Sequence, residues 1–172
     1  MKKFLLLLLL TIFQYGFGQT TWTGATNTDW NTPSNWSTGV VPTAIDVVVI
    51  PNVINKPIIT SITAFCADLT INALSSLTLT NSVTSLLKIS GNFVNSGTFT
   101  SGAASTISFV GANQTVAGVT YSNLTLGGTG TKTFAANTII TTNLMVVAGV
   151  KMNLNAINTH QTGTLTLKKI KH

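Results

Sequence analysis

A three-residue word recurs along residues 69–167 and constrains the fold more than any other feature of the chain. In each copy two apolar residues flank one other residue, and the copies start 18, 20, 17, 20 and 21 residues apart. The copies are Leu69-Thr70-Ile71, Leu87-Lys88-Ile89, Ile107-Ser108-Phe109, Leu124-Thr125-Leu126, Leu144-Met145-Val146 and Leu165-Thr166-Leu167. Residues two apart on a strand share a face, so each word predicts a short strand with one buried side. The steady step indicates one coil repeated by stacking.

A second set of apolar residues lies between the words, at Leu77, Phe99, Val116, Phe134 and Leu154. Each coil is therefore expected to carry two apolar strands joined by corners rich in Gly, Asn and Ser. This pattern predicts an all-β fold, a single-stranded parallel β-helix (β-solenoid), with about seven coils when Val47 is counted as the first. An antiparallel β-sandwich remains the alternative, because short strands at similar spacing also describe that fold.

Asparagines are frequent near the predicted corners. They are Asn81, Asn92, Asn95, Asn113, Asn123, Asn143 and Asn153. Asparagine tolerates a left-handed backbone, and its side chain can bond neighbouring backbone groups, so we expect these residues to shape corners and link coils. The single cysteine, Cys66, excludes an intramolecular disulfide and is expected to be a small buried hydrophobe.

The first eighteen residues are typical of a secretory signal peptide. Lys2 and Lys3 precede an apolar run of about ten residues, which ends in small residues that suit cleavage after Gly18. An uncleaved anchor is the alternative, although the run is short for a membrane span. We therefore predict a secreted or cell-surface protein with no membrane span in the mature chain. The predicted organisation is a signal peptide (1–18), a Trp-rich N-terminal cap (19–51), solenoid repeats (52–167) and a basic tail (168–172).

All three tryptophans, Trp22, Trp30 and Trp36, fall at the start of the predicted mature chain, among Gly, Pro, Asn and Thr. One interpretation is a cap, because the end coil of a solenoid must shield its core. The other is an aromatic platform for glycan contact, since Trp combines an apolar ring with a polar N–H group. The position before the repeats favours the cap.

The spacing of this segment resembles the opening of large secreted β-helix surface proteins of the adhesin and autotransporter-passenger type, which are common among gliding, polysaccharide-degrading bacteria. The pattern is Trp22-x-Gly24, Trp30, Asn35-Trp36-x-x-Gly39-x-x-Pro42 and Asp46-x-Val48-x-Ile50. Later words, such as Gly91-Asn92-Phe93 and Tyr121-x-Asn123-Leu124, are similar to the repeats of these proteins. The resemblance implies a surface or adhesion role. Such proteins are usually longer and end in a sorting domain, so we expect a fragment or short relative.

Most of the formal net charge of +6 comes from the two ends of the chain, which carry five of the lysines. Between Gln19 and Leu167 there are four lysines, three aspartates and no arginine. A nucleic-acid partner is therefore not expected, because phosphate binding needs a basic stripe.

The residue types that hydrolytic chemistry requires are scarce. The chain has no glutamate, and glycosidases use a pair of carboxylates. Asp29, Asp46 and Asp68 suit turns, although Asp46 and Asp68 lie about one coil apart and could approach each other to bind Ca²⁺ or form an acid pair. His160 and His172 lack partners at zinc spacing. We predict no enzyme activity, no catalytic residues, no metal site and no cofactor.

The leading functional hypothesis is a structural or adhesion module that contacts polysaccharide or cell-surface components. A glycan-binding module using Trp22, Trp30 and Trp36 is the alternative, and a carbohydrate-active enzyme is disfavoured. An ice-binding face would need a regular threonine array, which Lys88 and Met145 interrupt in the row of middle positions. The C-terminal end shows no cap comparable to the tryptophan segment, so end-to-end self-association is also expected.

Overall fold

The chain forms a nearly all-β structure. A computed structural model describes residues 18–135, 137–155 and 160–168. The predicted signal peptide before Gly18 and the tail beyond Lys168 lie outside these residues. Their one helix is a short 3-10 turn, Pro33–Asn35. The strands are β1 Gln19–Thr21, β2 Val47–Ile50, β3 Ile58–Ile59, β4 Thr63–Cys66, β5 Leu69–Ile71, β6 Ser76–Leu79, β7 Leu86–Ile89, β8 Phe93–Asn95, β9 Thr98–Ser101, β10 Thr106–Phe109, β11 Gln114–Val116, β12 Thr120–Leu126, β13 Thr131–Phe134, β14 Thr138–Val147, β15 Lys151–Asn153 and β16 His160–Lys168.

These strands stack into a parallel β-solenoid of about five turns, which confirms the predicted fold class. The first face is the sheet β1-β2-β5-β8, continued by β11-β13-β15; the second is β3-β6-β9; the third is β4-β7-β10-β12-β14-β16. Every paired strand runs parallel to its neighbour, so the antiparallel sandwich is excluded. No helix in the described residues is long and apolar enough to cross a membrane.

The recurring word forms the third face. Leu87 pairs in register with Ile107, Ile107 with Leu124, Leu124 with Leu144, and Leu144 with Leu165. The word that starts at Leu69 was wrongly placed in this series. It lies on the first face, between β2 and β8, and Ala64 holds the corresponding position on the third face.

The second predicted set of apolar residues also combines residues that lie on two different faces. Leu77 pairs with Phe99 on the second face, whereas Val116 pairs with Phe134 on the first. A turn such as β5-β6-β7 therefore has three strands, where the sequence suggested two. Counting words as if each marked a new coil gave about seven coils, and the correct number is about five.

Inward residues build one continuous core, because the period-two alternation buries every second side chain. The strand β7 shows the pattern, with Leu87 and Ile89 buried and Leu86 and Lys88 half-buried on the outer side. Cys66 is buried in the same core, as predicted. Burial, followed by the nearby Asp68 charge, raises the pKa of its thiol.

The corners are held by side chains that bond to the next turn. Asp68 Oδ1 accepts from Asn92 N at 2.6 Å, Asn92 Oδ1 accepts from Thr115 N at 2.6 Å, and Asn113 Oδ1 accepts from Thr131 N at 2.8 Å. The predicted linking of coils by asparagine is therefore confirmed at these positions. None of the corner asparagines has a left-handed backbone; that conformation falls instead on Ser61, Leu74 and Asn155 among the described non-glycine residues.

Candidate functional site

The three tryptophans form a compact cluster at the N-terminal end of the solenoid. Trp22 and Trp30 are 0% exposed and Trp36 is 3% exposed. The Trp36 ring lies between the other two, in edge-to-face contacts with centroid distances of 4.9 Å to Trp22 and 4.7 Å to Trp30. Its Nε1 donates to Trp30 O at 2.9 Å, and Trp22 Nε1 donates to Asn55 O at 2.7 Å. The cluster is continuous with the core, as the cap prediction required.

A buried asparagine organises the loop around these rings. Asn35 Nδ2 donates to Asn27 Oδ1 at 2.8 Å and to Asp29 O at 2.9 Å. Its Oδ1 accepts from Thr26 N at 2.9 Å and from Asn27 N at 3.1 Å. Both polar groups of this side chain, the carbonyl oxygen and the NH2 group, are thus fully used by four hydrogen bonds inside the cap, a role that the motif Asn35-Trp36 alone did not reveal.

Burial of the three rings argues against the glycan-platform alternative. Stacking on a sugar requires an open ring face, and the rings of Trp22, Trp30 and Trp36 are covered by each other and by the core. In this arrangement they have no surface to offer a ligand. The tryptophans act as packing residues, and any contact surface must lie on the faces of the solenoid.

The third face carries the widest single sheet among the described residues, with six strands. One outward row on this face begins with Phe65 and passes through the middle residues of the words. Its described members are, in register, Phe65, Lys88, Ser108, Thr125 and Met145, and the backbone of Thr166 pairs with that of Met145. The predicted row started with Thr70, which lies on the first face instead. Because Phe65, and not a threonine, is the first residue of this row, the row is less regular than predicted. This further disfavours an ordered ice-binding array.

A shallow depression lies on this face, with a volume of about 360 Å³. It is lined by Thr106, Asn123, Leu124, Thr125, Asn143 and Met145. Asn143 Nδ2 donates to Asn123 Oδ1 at 3.1 Å, and Asn123 Nδ2 donates to Ser105 O at 2.9 Å, so the amides form a ladder along the solenoid. The lining offers hydroxyl and amide groups together with an apolar thioether, and no charge.

Phe65 is the exposed aromatic residue that the sequence reasoning missed. It is 36% exposed, and Lys88 Nζ lies 5.8 Å from its ring centroid. The signal was present in the alternation Thr63-Ala64-Phe65-Cys66, because burying Ala64 and Cys66 turns Phe65 outward.

The aspartates take turn roles, as predicted. Asp46 Oδ2 accepts from Thr43 N at 2.8 Å and from Thr43 Oγ1 at 2.7 Å. Asp29 Oδ1 accepts from Asn31 N at 3.0 Å, and Asp68 takes part in the corner ladder. Asp46 and Asp68 do not lie opposite each other on their two neighbouring turns. They are offset by one position, because Asp46 O accepts from Ala67 N. Among the described residues, no three His, Cys, Asp or Glu side chains are grouped as a metal site would require.

Fold and surface together define a β-solenoid protein with a tryptophan cap and a long third face that carries little charge. The chain belongs to the family described as Domain of unknown function (DUF8693), whose model matches residues 21–125. The match covers the cap and the turns up to β12. Neither the curated proteins nor the solved structures contain a significant match.

Proposed function

We propose that this chain is an extracellular structural and adhesion module whose third face contacts other cells, matrix or polysaccharide. The observation that carries the proposal is the six-stranded third face, whose depression is lined by hydroxyl and amide side chains. The resemblance to large β-helix adhesins supports the same role.

The charge of this face favours a neutral, hydroxyl-rich partner. Lys88 is the one charged residue among the described outward side chains of β4, β7, β10, β12 and β14, and its ammonium lies over Phe65. A polyanion would need more cations on this surface. An aromatic ring beside polar side chains suits a sugar, which has both apolar ring faces and hydroxyl groups.

The proposal includes export and contains no catalytic step. The basic and apolar start of the sequence supports secretion, with Gln19 as the first mature residue. Sequencing the N-terminus of the protein recovered from the medium or the cell surface tests this part. An N-terminus at Met1 would contradict cleavage after Gly18, and recovery with the cytoplasmic proteins would contradict export.

End-to-end association is proposed as a further property. Within the described residues β4 and β16 are the two edge strands of the third sheet, and Phe65 of β4 is partly exposed. Unpaired strand edges are templates for pairing with another chain.

Binding to an array of neutral polysaccharides and to whole cells tests the contact face. The test variant is Thr125→Arg, on the third face, and the matched control is Thr78→Arg, on the second face. Both threonines are outward, half-buried and the next-to-last residue of their strand. We expect the Thr125 variant to lose at least tenfold in binding while the control keeps wild-type binding. Equal binding by both variants would remove the third face as the contact surface.

A further inference from the structure

Lys132 lies inside the solenoid, which is unusual for a lysine. It is the second residue of β13, where burial alternates so that Thr131 and Thr133 face outward and Lys132 and Phe134 face inward. The side chain is 0% exposed. In register it lies between Gln114 of β11 and Met152 of β15, on the first face.

The ammonium of Lys132 is enclosed by uncharged oxygens. Nζ donates to Gly111 O at 2.7 Å, to Ala112 O at 2.7 Å and to Gln114 Oε1 at 2.6 Å. A longer contact of 3.3 Å reaches Thr129 O. An ammonium has three N–H donors, so three short bonds satisfy it completely. None of the chain's three aspartates is among these partners, and burial lowers the pKa of Lys132.

Further hydrogen bonds of the Gln114 side chain hold this set of oxygens in place. Its Oε1 also accepts from Gly111 N at 2.8 Å, while Nε2 donates to Ile89 O at 2.9 Å and to Gly91 O. The amide therefore cannot rotate without breaking several hydrogen bonds. Three successive corners of the solenoid are tied together through this one side chain and the lysine.

The corner carbonyls are held close by glycines. A Cβ atom at Gly111 would lie 1.9 Å from Ser90 O, and one at Gly130 would lie 2.4 Å from Asn113 Oδ1. Successive turns could not approach this closely with any other residue at those positions. Three of the four oxygens around Nζ are backbone carbonyls of these corners and the fourth is Gln114 Oε1, so the cage does not depend on the lysine alone.

We propose that this cage is a monovalent-cation site in which the chain's own Lys132 ammonium takes the place of the ion. Four uncharged oxygens without a carboxylate suit a cation of low charge density, such as ammonium, methylammonium or potassium. Ca²⁺ and Mg²⁺ normally take carboxylate or water ligands, which this cage does not supply. Removing the lysine side chain should leave a site for an external monovalent cation such as ammonium, methylammonium or potassium.

Thermal unfolding of the full-length Lys132→Ala variant, followed by circular dichroism, tests the proposal. We expect methylammonium, ammonium or potassium chloride to raise its midpoint saturably, by about 5 °C over choline chloride at equal ionic strength. Wild type and Lys132→Met, whose side chain fills the same space, should show no such difference. Lys88→Ala, at a half-buried outward lysine, serves as a further control. The absence of a saturable, cation-specific rise would overturn the proposal.

A measurement on the wild-type chain keeps the proposal testable if Lys132→Ala does not fold. With ¹⁵N-labelled lysine, the Lys132 ammonium should give an N–H signal protected from solvent exchange, because all three protons are bonded inside the cage. Lys132→Met should lack this signal. A wild-type spectrum in which every ammonium exchanges rapidly would show that the cage does not enclose the ion.

Discussion

Replacing Trp36 by alanine tests the cap most directly. The side chain is 3% exposed, and its ring makes edge-to-face contacts with both other tryptophans. Truncation opens a cavity, removes both ring contacts and leaves Trp30 O without its 2.9 Å hydrogen bond. Large-to-small changes of a buried tryptophan cost about 3–5 kcal/mol, and the loss here should fall in that range.

Urea unfolding followed by far-ultraviolet circular dichroism measures the change in the free energy of unfolding. Trp36→Phe should retain part of the stability, because a ring remains while the indole hydrogen bond is lost. Val40→Ala is the control within the cap, since Val40 is 61% exposed and should change stability by less than about 0.5 kcal/mol. A loss below about 1 kcal/mol for Trp36→Ala would refute the packing role.

The location of the loss is a second readout. A solenoid turn contacts mainly its neighbours, so damage at the cap should raise amide exchange in β1 and β2 far more than in β12 and β14. Reduced glycan binding by Trp36→Ala, with unchanged stability and exchange, would instead revive the aromatic platform.

Three further predictions concern backbone packing, pH and assembly. In urea unfolding, Gly128→Ala should destabilise the fold by about 2 kcal/mol or more beyond the loss caused by Gly39→Ala. Both glycines have a positive φ (70° and 69°). A Cβ atom at Gly128 would lie 2.1 Å from Gly111 O, whereas Gly39 faces open space. Similar losses for the two variants would show that φ strain alone matters. Burial, and after it the Asp68 charge, raises the pKa of the Cys66 thiol, so this thiol ionises at lower pH in the unfolded chain than in the folded one. Above about pH 9 the free energy of unfolding of the wild type should therefore fall by about 1.4 kcal/mol per pH unit relative to Cys66→Ala. Parallel pH profiles of the two proteins would contradict this. Sedimentation velocity should show species heavier than a monomer as concentration rises, and a strictly monomeric profile would count against end-to-end association.

The fold class was predictable because alternation with a period of two is a local property of the sequence. Assignment to faces was not, since the words at Leu69 and Leu87 look alike but lie on different sheets. A three-residue word says which side chains are buried and nothing about which neighbour the strand pairs with. That information is distributed over the corners, whose lengths vary.

The candidate surfaces show the same limit. Alternation alone would have placed Phe65 outside and Lys132 inside. General preferences for burying aromatic residues and exposing lysine oppose both placements. At these two positions the strand pattern prevails, because turning either residue over would move its neighbours to the wrong side. The burial of Trp22, Trp30 and Trp36 depends on how the loop folds back, which their spacing cannot disclose.

The variable corners have a consequence for how such a chain can change. Along the third face the paired positions Ala64, Leu87, Ile107, Leu124 and Leu144 are 23, 20, 17 and 20 residues apart, yet their strands stay in register. Differences in length are absorbed outside the sheets, where Leu74 and Val83 project into solvent. Insertions or deletions at these corners should therefore spare the sheet, and whole turns can be gained or lost as units.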